Sequence, residues 1–186
     1  AMDQALAFRP GSQYDYSQIG YQLLADILEK VTGQPFAKLS ANLFKQCGMK
    51  NSAHPDLNKG HLVKGWYEAE NGEVKLQTEK FSMVAAGGFI STPKDLLIWN
   101  QHLFGGKLLK SDTYQTMITK QKNATRNHPL FGVTDYGYGI TVDTQDDIYQ
   151  LGQTGFAPGF ASMNFYFPDS KISVIVTENI TYDKTS

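Results

Sequence analysis

The side chains with chemical potential in this chain fall into four stretches. The first is Tyr14-Asp15-Tyr16-Ser17-Gln18-Ile19-Gly20-Tyr21, preceded by Pro10-Gly11. The others are Ala86-Gly87-Gly88-Phe89-Ile90-Ser91-Thr92, Tyr136-Gly137-Tyr138-Gly139, and Gly152-Gln153-Thr154-Gly155-Phe156-Ala157-Pro158-Gly159-Phe160-Ala161-Ser162. Phenols, hydroxyls and primary amides dominate them, groups that pass protons and orient polar substrates by hydrogen bonding. Metal and thiol chemistry have little to work with. Cys47 is alone, so it makes no intrachain disulfide or cysteine-based zinc cluster. His54, His61, His102 and His128 are scattered without ligand spacing, which predicts surface residues and no metal site.

Each stretch also has a plain structural reading. Tyr-Ser-Gln before a helix makes a turn and a cap, and Ser91-Thr92-Pro93-Lys94 followed by Asp95 is ordinary helix-start chemistry. What positions them is therefore decisive. After Gln18, apolar residues recur at Ile19, Leu23, Leu24, Ile27, Leu28 and Val31, which predicts a buried helix over 18–31 closed by Gly33. Pro35 restarts a second helix whose face is Phe36, Leu39, Leu43 and Phe44 and which Gly48 ends. A third helix follows Pro93, with a buried face of Leu96, Leu97, Trp99, Leu103 and Phe104. A fourth, shorter one carries Tyr114, Met117 and Ile118.

Between the second and third helices, segments 65–67 and 74–76 flank Asn71-Gly72, the signature of a two-residue hairpin in a small exposed excursion. Residues 120–135 form a long polar loop, functional or mobile. Beyond it the period changes to two: 136–142 alternates, 148–151 is a short strand, and 162–167 and 172–177 flank a Pro168-Asp169-Ser170 turn. Strands joined by short turns form an antiparallel meander. Helices first and strands last make the class α+β, a helical lobe over about 18–119 and a sheet over about 136–178.

Composition bounds the function. The 186 residues are 41% apolar with a formal charge of −1. No basic block suggests nucleic acid or an anionic membrane, and no apolar run approaches the roughly 20 residues of a membrane helix. The start lacks a signal-peptide pattern, Ala1-Met2 looks like a cloning junction, and the last strong strand runs straight into a polar tail. The expectation is a piece of a longer protein.

Taken together and in order, the four motifs resemble the serine β-lactamase superfamily, specifically the branch of class C β-lactamases, D-alanyl-D-alanine carboxypeptidases and esterases. The resemblance runs the length of the chain and includes Gly48-Met49 after the second helix. It implies a β-lactamase/transpeptidase-like fold, incomplete at the N-terminus, and an acyl-enzyme mechanism without cofactor on a β-lactam, a D-Ala-D-Ala-type peptide or an ester. By resemblance Tyr16 is the general acid/base, and a phenol does that near neutrality only if positive charge lowers its pKa. Gln18 orients substrate, Gln153-Thr154-Gly155 forms the inner edge strand of the cleft, and the N–H of Phe156 is one oxyanion donor. The family habit of export implies a periplasmic or extracellular location.

Three departures qualify this. Gln18 stands where the family has Asn, placing the amide one methylene further out, an offset of about 1 Å that costs roughly 100-fold if uncorrected. Gln153 stands where the family has Lys or His, so a neutral amide replaces the charge that would hold a substrate carboxylate. The Ser-x-x-Lys nucleophile motif has no match upstream of Tyr16. Its one literal match, Ser91-Thr92-Pro93-Lys94, lies where the family has a structural helix start. The resemblance therefore implies that this piece alone is inactive and needs the missing N-terminal segment of the same protein. Without that segment, an exposed sheet edge or apolar face prone to self-association is expected. The alternative is a non-catalytic module that keeps the cleft to bind a peptide or glycan.

Overall fold

The computed structural model describes residues 5–79, 81–128 and 131–182. Its four α-helices begin and end where the local chemistry directs. Helix α1 (Gln18–Thr32) starts as Ser17 Oγ accepts the Gly20 N–H at 3.0 Å, and it stops at Gly33 in the left-handed region, φ 66°. Helix α2 (Phe36–Cys47) is tied back to α1 by its own first amide, which donates to Glu29 Oε1 at 2.6 Å. Helix α3 (Pro93–Leu103) is capped by Thr92, whose hydroxyl accepts the Asp95 N–H at 3.2 Å. Helix α4 (Ser111–Ile118) is the short one.

Among the described residues, nine strands form two sheets. Strands β1 (Trp66–Glu68) and β2 (Val74–Leu76) are the expected excursion, but a five-residue loop joins them rather than a two-residue turn. The Gly72 N–H donates to Ala69 O, which spends Asn71-Gly72 inside the loop. Then come β3 (Thr125–His128), β4 (Gly132–Tyr136), β5 (Thr141–Gln145), β6 (Ile148–Ala157), β7 (Phe160–Phe167) and β8 (Ile172–Glu178). These six pair in sequence order as an antiparallel meander, the expected topology. The polar stretch 120–135 is thus largely a hairpin, β3–β4, not a loop. The alternating run 136–142 is broken into the end of β4, a turn whose Gly137 N–H donates to Ile140 O, and β5.

The last strand, β9 (Ile180–Tyr182), falls in the region read as a polar tail, yet it runs parallel to β1. Its buried Thr181 accepts the Gly159 N–H at 3.2 Å, and Asn179 Nδ2 donates to Lys64 O at 3.1 Å. The approach is close: a Cβ on Gly159, where φ is +76°, would lie 2.8 Å from Gly65 Cα.

The core lies between the sheet and the C-terminal helices. Ile140, Val142 and Leu151 are buried, with Phe104, Met117, Ile118 and Tyr149 packed against them. Phe104 stacks on Tyr166 at 4.5 Å between ring centroids. Helix α3 docks on the sheet through amides: Asn100 Nδ2 donates to Asn164 Oδ1 at 2.7 Å and to Ser173 Oγ at 3.1 Å. Asn164 returns a bond to Asn100 Oδ1 at 3.1 Å. The helices are therefore not all segregated in a separate lobe.

Three expectations about burial are corrected. The apolar stripe of α1 is not buried: Ile19, Leu23, Leu24, Ile27, Leu28 and Val31 are each 46% to 78% exposed, and only Ala25 is buried. On α3, Leu97 is exposed and the buried positions are Asp95, Asn100 and Leu103. Periodicity reports that a helix face is apolar, not what covers it. The outer face of edge strand β8 is likewise open at Ile172, Val174 and Val176. Two histidines expected at the surface, His54 and His128, are buried. His54 sits against an aromatic cluster of Phe36, Phe44 and Phe89, with its ring centroid 6.2 Å from that of Phe89.

Candidate active site

The site is assembled where the entry to α1 meets the second half of β6. Pairing of β6 with β5 ends at Gly152, whereas pairing with β7 continues to Ala157. Residues 153–157 therefore belong to the sheet on one side and are an unpaired edge on the other, among the described residues. Gln153, Thr154, Gly155 and Phe156 all lie on this edge. Phe156 is exposed, and it lines a cleft of about 460 Å³ together with Gln18, the first residue of α1. Tyr67, Gln77, Phe81 and Tyr182 complete much of that wall. Tyr67 on β1 and Tyr182 on β9 thus help to shape the cleft.

Tyr16 precedes the Ser17 cap and is exposed. The guanidinium of Arg126, on β3, lies 5.1 Å above its ring. The tyrosine motif and the β6 edge are joined through Tyr136. Its ring packs against Tyr14 at 5.2 Å between centroids, and its hydroxyl accepts a hydrogen bond from Gln153 Nε2. The same Nε2 also donates to Gly139 O at 3.2 Å, so the neutral amide that replaces a charged side chain is occupied by internal partners. Tyr21, one turn into α1, also lies beside Tyr136. Burial first, then the neighbouring Tyr136 phenol, push its pKa up. Burial and Tyr136 raise that of Tyr14 too, with Arg126 opposing.

The next residue on the edge is addressed by the β3–β4 hairpin. His128 Nε2 lies 2.7 Å from Thr154 Oγ1, and its ring stacks on Phe131 at 4.7 Å. Burial, assisted by Arg126 and opposed by Asp143, lowers the pKa of His128 and favours the neutral imidazole. Residues two apart in a strand share a face, so Arg126 and His128 present to the same side, one to Tyr16 and the other to Thr154. Sequence reasoning identified neither. Their strand is uniformly polar and gives no period, and the hairpin that folds it over the site is formed at a distance.

Ser91 is placed elsewhere and is fully engaged. Its Oγ is 2.8 Å from Ser52 Oγ, which donates to Asp95 Oδ2 at 2.8 Å. The Asn51 N–H donates to the same carboxylate oxygen at 2.7 Å. Ala53 and Ile90 exchange backbone bonds at 3.0 Å each way alongside it. This is a latch around the buried Asp95 carboxylate that fastens the chain after α2 to the start of α3.

An α+β domain with an edge strand facing a helix start across a cleft is what the comparison with known proteins has to account for. A family model described as "Beta-lactamase" matches residues 1–186, and the chain belongs to the β-lactamase family. It is 33% identical over 153 residues to the D-alanyl-D-alanine-carboxypeptidase/endopeptidase AmpH of Escherichia coli K12, covering 80% of this chain and 37% of that protein. The fold is similar to that of a penicillin-binding protein from Bacillus halodurans, with TM-score 0.81, 25% identity, and coverage of 94% of this chain and 54% of that one. A D-stereospecific amidohydrolase from Streptomyces sp. gives TM-score 0.81 at 24% identity, over 97% of this chain and 54% of that one. The chain therefore spans between about a third and about half of the relatives it matches.

Proposed function

We propose that this chain is the C-terminal part of a serine hydrolase that works through an acyl-enzyme on a D-Ala-D-Ala-type peptide, a β-lactam or an ester. The observation that carries this reading is that Gln18 and Phe156, drawn from motifs at opposite ends of the chain, line one cleft. In the proposed mechanism Tyr16 takes the nucleophile's proton and later returns one to the leaving group. The 153–157 edge aligns the substrate backbone, and the Phe156 N–H stabilises the oxyanion. The attacking serine and its lysine come from a segment of the same protein that precedes Tyr16. The open apolar faces of α1 and β8 are where the rest of that domain packs, which is supported by the share of its relatives that this chain spans. No helix among the described residues is long and apolar enough to cross a membrane.

A second reading has its own observation. Gln153 is neutral and already bonded to Tyr136 and Gly139, which suits a cleft that binds a peptide or glycan without cutting it. Intact-mass analysis of the parent protein after exposure to a penicillin and to a fluorophosphonate separates the two, with the 186-residue chain as control. An adduct on the parent alone supports the hydrolase. No adduct with either probe favours the binding module, and an adduct on the short chain would place a nucleophile within it.

A further inference from the structure

Residue 153 on the edge strand carries no charge, but a cation stands beside Tyr16. Arg126 reaches over the Tyr16 ring from β3, a strand that lies three places away from β6 in the sheet order. We propose that Arg126 is the anion-recognition residue of this site, so that the substrates it selects carry a free carboxylate on the Tyr16 side of the cleft, as peptide acids rather than peptide amides or neutral esters. This rests on the hydrolase reading above and narrows it to a substrate class.

The argument is one of unmet pairing. Arg126 is half-buried over the Tyr16 ring, and it makes no ion pair among the described residues. The carboxylates on the adjoining strands are committed elsewhere. Asp135 on β4 is held by Lys120 at 2.7 Å, and Asp143 on β5 accepts from Gln150 Nε2 at 3.1 Å and from the Thr144 N–H at 2.9 Å. A guanidinium resting on an aromatic face keeps its planar fork of N–H donors available, and that fork matches a carboxylate in bidentate fashion. The neighbouring residue on the same strand face, His128, is bonded to Thr154, so this face of β3 is turned to the edge strand on which substrate would lie. Gln153, by contrast, has spent its donor on Tyr136 and Gly139 and is not the anchor.

The test compares N-acetyl-D-Ala-D-Ala with its C-terminal carboxamide on the full-length parent, as wild type, R126Q and R126K. The expected result is a wild-type preference for the acid, in kcat/KM, that R126Q reduces by about 10- to 100-fold, the usual cost of losing a hydrogen-bonded charge partner. R126K should recover part of that preference, because it restores charge without the fork. Equal losses on acid and amide, or an unchanged preference, overturn the proposal. Binding of the two peptides, followed by calorimetry on the same proteins, keeps the inference separate from the hydrolase reading. If the parent cleaves neither peptide but binds the acid more tightly, and R126Q abolishes that difference, the hydrolase reading fails and the anchor stands. Equal binding of both peptides by wild type removes the anchor.

Discussion

Two hydroxyl-bearing clusters in this molecule look alike in sequence and differ in kind. Around Ser91, hydroxyls, an amide N–H and the carboxylate of Asp95 close on one another, and Asp95 is 1% exposed. Around Tyr16 the site is open: Tyr16 and Phe156 are exposed, and among the described residues Arg126 has no counter-ion and the outer edge of 153–157 has no strand beside it. The first cluster satisfies itself and holds two elements together. The second is left unsatisfied in a way that a substrate, or a further part of the protein, would complete. A literal Ser-x-x-Lys in the closed cluster is therefore poorer evidence of chemistry than a lone tyrosine in the open one.

Substitutions can break that contrast. The largest effect is expected from Tyr16→Phe in the parent enzyme, a fall in kcat of about 100- to 10,000-fold, the usual range for a general acid–base, with the urea midpoint unmoved. Retention of activity by this variant would remove Tyr16 from the mechanism and reduce its motif to a helix cap. Asp95→Ala should do the reverse. It strips the acceptor from three donors, the Asn51 N–H, Asn51 Nδ2 and Ser52 Oγ, at a buried carboxylate and is expected to lower unfolding free energy by about 3 kcal/mol in denaturant titration. A milder cut at the closed cluster, Ser91→Ala, should cost about 1 kcal/mol and change kcat/KM by no more than about twofold. A collapse of turnover with intact stability would make Ser91 catalytic after all.

The smallest effect concerns pH. The imidazole of His128 is held below its ordinary value of about 6.5, mainly by burial. The unfolded chain then binds more protons than the folded one as pH falls, so stability drops on acidification and is fully present above the ordinary histidine value. His128→Gln should flatten the wild-type slope of stability between pH 7 and 5, read from melts at matched ionic strength. An identical slope in both proteins would mean that this histidine is not the group responsible.

Much of this was legible in the sequence, and the exceptions share a cause. Local signals were accurate: Ser17 and Thr92 cap helices, Gly33 and Gly48 end them, and the alternation at Met163, Phe165 and Phe167 marks β7. Gln18 and Phe156, from motifs far apart in the chain, line one cleft, a convergence that a resemblance implies and periodicity does not. What escaped was set by pairing across distance. Thr125-Arg126-Asn127-His128 is a strand only because β4 folds back on it, and nothing in four polar residues announces that. The apolar stripe of α1 was read as buried because a stripe implies a partner, and a sequence window cannot say whether that partner lies within the chain.

The parallel pairing of β1 with β9 carries a kinetic consequence. Residues 66–68 meet residues 180–182, so this clasp closes the longest loop of any strand pair described here, while every pair in the meander joins near neighbours. Closing a long loop is slow and is rewarded late, so the meander should assemble first and the clasp last. The wall of the cleft that Tyr67 and Tyr182 provide is then the final part of the site to mature during folding, and amides in β1 should be the first in either sheet to exchange with solvent.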